Sequence, residues 1–363
     1  MTFLGTNSFT DNLASTGGGA ISSRDSNITL SGFNYFEDNI GLPLGGAIAA
    51  YNSPVLMSGT AVFLRNRAEQ FGGAIALVDG TSLLQSEGIL YMSNNFVGMG
   101  GGAVWMFNSN AQTSGQMTVQ QNMALQGAFL VSSNSVLICD GISMFINNSA
   151  SLAGAVSVSF DSQMFLSGVK FENNHADYGG GAVTSDRSRM IIMDSLMVNN
   201  SAGIVGGAIA LNGSSLLLMG DNFIEDNMAL QSGGIDAFNM SVLNITGNSR
   251  FMNNTSVNFG GALSLSFTNA SFQGTLNFVN NSAREGGAVY GVLSTIEFGS
   301  YANVTFEHNV ANVQGGALYS IDSAWSLRGN LTFHNNFAMI GGCLLYTSPS
   351  PRDATLSRMP SSA

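Results

Sequence analysis

Phe36-Glu37-Asp38-Asn39 and Gly45-Gly46-Ala47-Ile48 are followed by Phe63-Leu64-Arg65-Asn66 and Gly72-Gly73-Ala74-Ile75, the same two tetrapeptide patterns 27 residues further on. A fixed period of roughly 20–50 residues marks a chain that stacks one small unit on the next. Gly-Gly-Ala followed by Ile, Val or Leu returns at Gly18, Gly101, Gly180, Gly206, Gly260, Gly286 and Gly315. Degenerate copies stand at Gln126-Gly127-Ala128-Phe129, Ala153-Gly154-Ala155-Val156, Gly233-Gly234-Ile235 and Gly341-Gly342-Cys343-Leu344. Counting on the second glycine, the anchors are Gly19, Gly46, Gly73, Gly102, Gly127, Gly154, Gly181, Gly207, Gly234, Gly261, Gly287, Gly316 and Gly342, spaced by about 27 residues on average.

The second pattern, an apolar residue, two variable ones and an asparagine, precedes every anchor. Its asparagines are Asn12, Asn39, Asn66, Asn94, Asn122, Asn148, Asn174, Asn200, Asn227, Asn254, Asn281, Asn309 and Asn336. The apolar member is mostly Phe, with Tyr91, Val119, Met197 and Ile224 among the replacements. Between anchors lie short alternating runs such as Ser26-Asn27-Ile28-Thr29-Leu30-Ser31-Gly32, which read as strands bounded by turns. Three short strands cannot bury a core alone, but stacked copies can. The expected fold is all-β: a right-handed parallel β-helix, or β-solenoid, of about 12 coils of about 27 residues, giving a rod on the order of 58 Å long.

Each repeated residue has a physical role in that geometry. Paired glycines allow positive φ and close backbone approach at a corner. Stacked asparagines are expected to form a ladder, bonding amide to amide between coils while satisfying turn backbone groups. Methionines, including Met190, Met193, Met197 and Met219, are expected to fill interior gaps.

Composition narrows function. Of 363 residues, 22 are acidic and 11 basic, for a net charge of -11, while Gly contributes 45 and Asn 38. A single lysine, Lys170, leaves no basic groove for nucleic acid. No apolar run approaches the roughly 18 residues of a membrane helix. Cys139 and Cys343 are 204 residues apart, several coils, which is too far for a disulfide and leaves two free thiols.

The paired tetrapeptides resemble the passenger repeats of the chlamydial polymorphic outer membrane proteins and, more broadly, the pectin-lyase-like right-handed β-helix class. That resemblance implies an exposed, adhesive part of an autotransported surface protein. The sequence divides into a repeat domain at 1–346, expected to start inside a coil, and a tail at 347–363. The tail, with Pro349, Pro351 and Pro360 and no repeat signature, reads as non-native, cloning- or adapter-derived, or as a disordered segment.

Enzymes of the β-helix class need clustered carboxylates on one face. Here no two acidic side chains adjoin except before turn asparagines, as at Glu37-Asp38-Asn39. Asp25, Asp79, Asp161 and Asp322 read as turn formers. Asp186, Arg187 and Arg189 are the best available catalytic set. His308 and His334 could meet in neighbouring coils, but His175 stands far off, so no zinc site is expected. No catalytic residue, cofactor or metal site is assigned. Twelve Asn-x-Ser/Thr sequons occur, of which Asn27, Asn212 and Asn330 are the favoured acceptors if the source is eukaryotic.

The expectation is a non-enzymatic extracellular or cell-surface β-helix serving adhesion or structural display, in the cell outer membrane if bacterial. Its partner would be a host-cell, extracellular-matrix or polysaccharide surface ligand, with membrane contact only through terminal segments outside this sequence. The alternative is a carbohydrate-active protein, pectate-lyase-like or polysaccharide-binding.

Overall fold

Each Gly-Gly-Ala copy feeds a four-residue strand, as at Ile48–Tyr51 and Ile75–Val78. In the computed structural model, which describes residues 1–80 and 83–347, these strands stack in parallel into a 13-stranded sheet, called here the anchor sheet. One coil continues from Ile48–Tyr51 through Val55–Met57 and Thr60–Leu64 to the two-residue strand Arg67–Ala68. The middle two columns merge into one 24-stranded sheet, and the short closing strands, most of them two residues long, form a 12-stranded sheet. Among the described residues there is no helix, so none is long and apolar enough to cross a membrane. The molecule is a parallel β-solenoid of about 13 turns, close to the 12 expected.

Most coils have four strands rather than three, and a third glycine column explains the difference. Gly59 separates Val55–Met57 from Thr60–Leu64, and a Cβ there would lie 2.0 Å from the Gly32 carbonyl oxygen of the coil before. The chain bends at this point, and one expected strand becomes two. Twice it runs straight through, at Asn269–Val279 and Thr295–Glu307, which is what joins the two columns into one sheet.

Register holds from coil to coil. Ile48 pairs with Ile75 and Ile75 with Val104, so like residues stack on like. Strand alternation then sends every second side chain inward. Phe9, Phe36 and Phe63 stack with ring centroids 4.6 and 4.7 Å apart, and Phe251, Phe278, Phe306 and Phe333 continue the column at 5.0, 4.8 and 4.9 Å. These spacings match the inter-strand distance, so each ring packs on its own repeat. Burying each such side chain contributes about 1.5–3 kcal/mol.

The sequence reading needs two corrections here. In the fourth copy the inward residue is Met92, which pairs with Phe63 and Val119, whereas Tyr91 points outward. Among the methionines, Met190 and Met197 are buried, but Met193 and Met219 stack on each other half-exposed on the opposite face of their strands. Cys139 is buried and Cys343 exposed, both free. Burial pushes the Cys139 thiol up to about 11, with the Thr113 and Ser143 hydroxyls opposing the shift. Residues 348–363 of the expected tail lie outside the described residues, and Thr347 closes the last strand, Leu344–Thr347.

Candidate functional site

The asparagine turn lies between the strand that carries the inward Phe or its replacement and the short strand that follows it, as between Thr60–Leu64 and Arg67–Ala68. Asn66 shows its chemistry. Its side-chain amide donates to Asn95 Oδ1 (3.1 Å) and to the Phe36 carbonyl (3.0 Å), while its own Oδ1 accepts from the Asn39 amide (2.9 Å) and backbone N–H (3.1 Å). Every donor and acceptor of a fully buried side chain is thus used. The same pattern links Asn12, Asn39, Asn66, Asn95, Asn122, Asn148 and Asn174, and then Asn200, Asn227, Asn254, Asn281, Asn309 and Asn336.

The fourth member is therefore Asn95, not Asn94. Asn94 is exposed and has a φ of 56°, the left-handed conformation. That conformation recurs one residue before each ladder asparagine, at Asp11, Asp38, Arg65, Gln121 and Asn147 among others. Asparagine suits both positions, one for its amide and the other for its tolerance of positive φ, so an Asn-Asn pair is ambiguous in sequence. Register decides it: Met92, not Tyr91, faces inward, and the amide three residues later is the buried one.

The paired glycines divide their labour. Gly72 carries positive φ (69°), whereas Gly73, without positive φ, would put a Cβ 2.0 Å from the Gly102 carbonyl oxygen. The anchors Gly19, Gly46, Gly73, Gly154, Gly181, Gly207, Gly261, Gly287 and Gly316 likewise face the next coil's backbone at under 3 Å. Gly102 meets the Met123 backbone instead, and Gly127, in a shorter coil, adopts the conformation of a first glycine with φ 70°. Gly342, in the last described coil, is less tightly confined, with the Asn336 carbonyl oxygen 3.2 Å from where a Cβ would stand. In the ninth copy Gly233 faces the Gly261 carbonyl oxygen at 2.5 Å, and Gly234 takes the place of Ala208 one coil before, since Ile235 pairs with Ile209, with a Cβ there 2.4 Å from the Ala262 carbonyl oxygen.

A serine ladder escaped the sequence reading. The backbone N–H of Ser135 donates to Ser162 Oγ (3.2 Å), that of Ser162 to Ser188 (3.2 Å), that of Ser188 to Ser214 (3.1 Å) and that of Ser214 to Ser241 (3.2 Å). The signal was present as a serine recurring with the coil period, masked by the abundance of serine elsewhere.

Charged groups pair locally. Arg65 bridges Glu37 and Asp38, the latter at 2.9 Å. Asp186 accepts from Arg187 at 3.1 Å and from the Asn212 amide at 2.7 Å. Arg189 opens into a different depression, lined also by Asp161 and Arg187, so Asp186, Arg187 and Arg189 do not converge on one point. Asp25, Asp79, Asp161 and Asp322 all have positive φ at turns. His308 and His334 approach to 5.9 Å between rings, and the Asn335 amide contacts both, but no group of three or more His, Cys, Asp or Glu able to hold a metal exists among the described residues. Of the favoured sequons, Asn27 and Asn330 are exposed, while Asn212 is committed to Asp186 and Asn239.

One buried carboxylate was also missed. Asp236 sits in the anchor sheet between Ala210 and Ser264 and is 2% exposed. Burial pushes it up to about 7, with the Ser264 hydroxyl opposing the shift. An acid in a column otherwise held by Ala, Ser, Thr and apolar residues was the available signal.

Residues 8–24 and 303–321 match the family model of the Chlamydia polymorphic membrane protein repeat. Both segments run from the Phe-x-x-Asn turn or its preceding strand into a Gly-Gly-Ala strand. No curated protein and no solved structure matches the chain.

Proposed function

We propose that this chain, which carries Chlamydia polymorphic membrane protein repeats and folds as a parallel β-solenoid, is the displayed part of a bacterial surface protein and serves adhesion without catalysis. The repeat match points to a bacterial surface or outer-membrane protein. Adhesion is supported by the long lateral faces, where large apolar side chains stand exposed on turns: Phe160 at 51%, Met240 at 84% and Phe267 at 56%. Exposed apolar side chains in such number along one corner mark an interaction surface. A solenoid offers many shallow contacts in line rather than one deep cleft, which suits attachment to an extended partner on a cell, matrix or polysaccharide surface.

Beads coated with the full chain test this reading. They should be retained on cultured epithelial monolayers, matrix-coated or polysaccharide-coated surfaces, with retention weakening step by step as whole coils are removed. Retention on none of these surfaces contradicts adhesion, and release of new reducing or unsaturated sugar ends from the polysaccharide contradicts the non-catalytic part.

A further inference from the structure

The outward side of the anchor sheet carries one continuous groove. Two depressions of about 390 and 400 Å³ meet at Gln126, Ser159 and Phe160. Along the groove the in-register column Val78, Phe107, Ser132, Ser159, Asp186, Asn212 and Phe238 crosses seven strands. Six strand spacings make it about 29 Å long, the length of a chain-like ligand rather than a compact one.

Three properties define what fits. The first is charge: among the described residues Asp186 is the only charged one lining the two depressions, and Arg187 neutralises it at 3.1 Å. In a chain of net charge -11 this strip is electrically neutral, so it selects neither a basic nor an acidic partner.

The second is the backbone. The floor strands are paired on both sides within the sheet, so no free edge exists for an extended peptide to join by strand addition. Only side chains remain to offer: aromatic faces at Phe107, Phe160, Tyr178 and Phe238, with hydroxyl and amide groups beside them. Asn239 donates to Asn212, and Asn212 to Asp186, giving a fixed polar rail along the aromatic strip. Flat apolar faces next to placed hydrogen-bond groups suit a ligand whose rings are apolar on their faces and hydroxylated at their edges.

The third is an aromatic ring at the centre of the groove. Phe160, 51% exposed, stands at the junction of the two depressions, with the Arg187 guanidinium 4.9 Å over its ring. Its φ of 56° is the left-handed conformation of this corner, held by Asn52 and Asn108 in other coils and by Phe267 and Leu293 outside the groove, and a bulky side chain there costs about 1 kcal/mol or more.

We infer that this groove binds a neutral linear oligosaccharide laid along the solenoid axis, its ring faces on Phe160 and Tyr178 and its hydroxyls on Asp186 and Asn212. The inference rests on the surface-binding reading above and gives that surface a ligand class.

Calorimetric titration of the full chain with cellohexaose, laminarihexaose, mannohexaose and maltohexaose tests it, with hexagalacturonate and a Leu/Phe-rich tetradecapeptide as competitors. At least one neutral hexasaccharide should bind. Phe160→Gly and Tyr178→Ala should each weaken it about tenfold, the loss of one stacked ring. Phe160→Gly relieves the left-handed strain and should melt no lower than the parent, which separates binding from folding. Tyr301→Ala, an exposed tyrosine outside the groove, should bind as the parent does. Binding of no neutral hexasaccharide, unchanged affinity in the two groove variants, or preference for the acidic sugar or the peptide would overturn the inference. If oligosaccharide binding fails while coated beads are still retained on cells or matrix, the ligand class falls and the surface reading stands. If oligosaccharide binds but the beads are retained nowhere, the surface reading falls alone.

Discussion

Asn95 uses all of its hydrogen-bonding capacity inside the solenoid. Its amide reaches the Phe63 carbonyl at 3.0 Å and Asn122 Oδ1 at 3.0 Å, and its oxygen accepts from the backbone and amide of Asn66 at 2.9 and 3.1 Å. Removing it strands the Asn66 N–H and the Phe63 carbonyl away from water. Each orphaned group costs about 1–3 kcal/mol, so Asn95→Ala should lower stability by about 3 kcal/mol in urea unfolding. Asn94→Gly, one residue away, should cost almost nothing, because glycine accepts the left-handed conformation and no amide bond to another coil is lost. Equal losses at the two positions would place the ladder wrongly. This pair also shows where sequence reading stops. The period, the asparagine turn and the glycine corner were legible because they repeat, but a choice between adjacent asparagines depends on which neighbour faces inward, and in that copy Tyr91 and Met92 are both apolar enough to serve.

At the scale of the element, strands are defined by stacking on their own copies, and a foreign residue in a column is felt. Asp236 occupies the second position of Ile235–Phe238, where its neighbours are Ala210 and Ser264. Its carboxyl, about 7 in the folded chain against a usual 3.9 or so when unfolded, holds a proton in the fold that it releases on unfolding. The folded state therefore binds more protons between about pH 4 and 7, and stability falls as pH rises through that window. Asp236→Asn removes the ionisable group, so its melting temperature should lie above the parent's at pH 8 and draw level near pH 4. A parent whose stability does not fall between those values contradicts the burial of the charge. The fourth strand of most coils has a related lesson. Its cause, the glycine column at Gly32, Gly59, Gly88 and Gly115, shares the 27-residue period of the anchors, but single glycines among serines carry no pattern that separates a corner from a loop. Likewise the groove on the anchor sheet joins Phe107, Phe160, Tyr178 and Phe238, residues of three repeats whose side-by-side placement exists only after coiling.

The whole molecule is a rod in which each coil contacts its neighbours and little else, so length follows coil number. Its low charge fits that shape: the interior is held by stacked rings and buried amides, and the faces by Ser, Asn and Thr, with ion pairs on the outer surface at turns and outward strand positions. Adhesion by such a body would spread over its length, and the neutral groove would mark where a sugar chain lies along it. The most direct test of the solenoid itself is small-angle X-ray scattering of the full chain beside a variant lacking residues 255–336, which joins Asn254 to Phe337, keeps the ladder register and leaves the groove intact. Three coils removed at about 4.8 Å each should shorten the rod by about 14 Å at unchanged cross-section, with a cooperative melt and oligosaccharide binding retained. A variant that unfolds, or one whose cross-section shrinks while its length stays the same, would contradict the account.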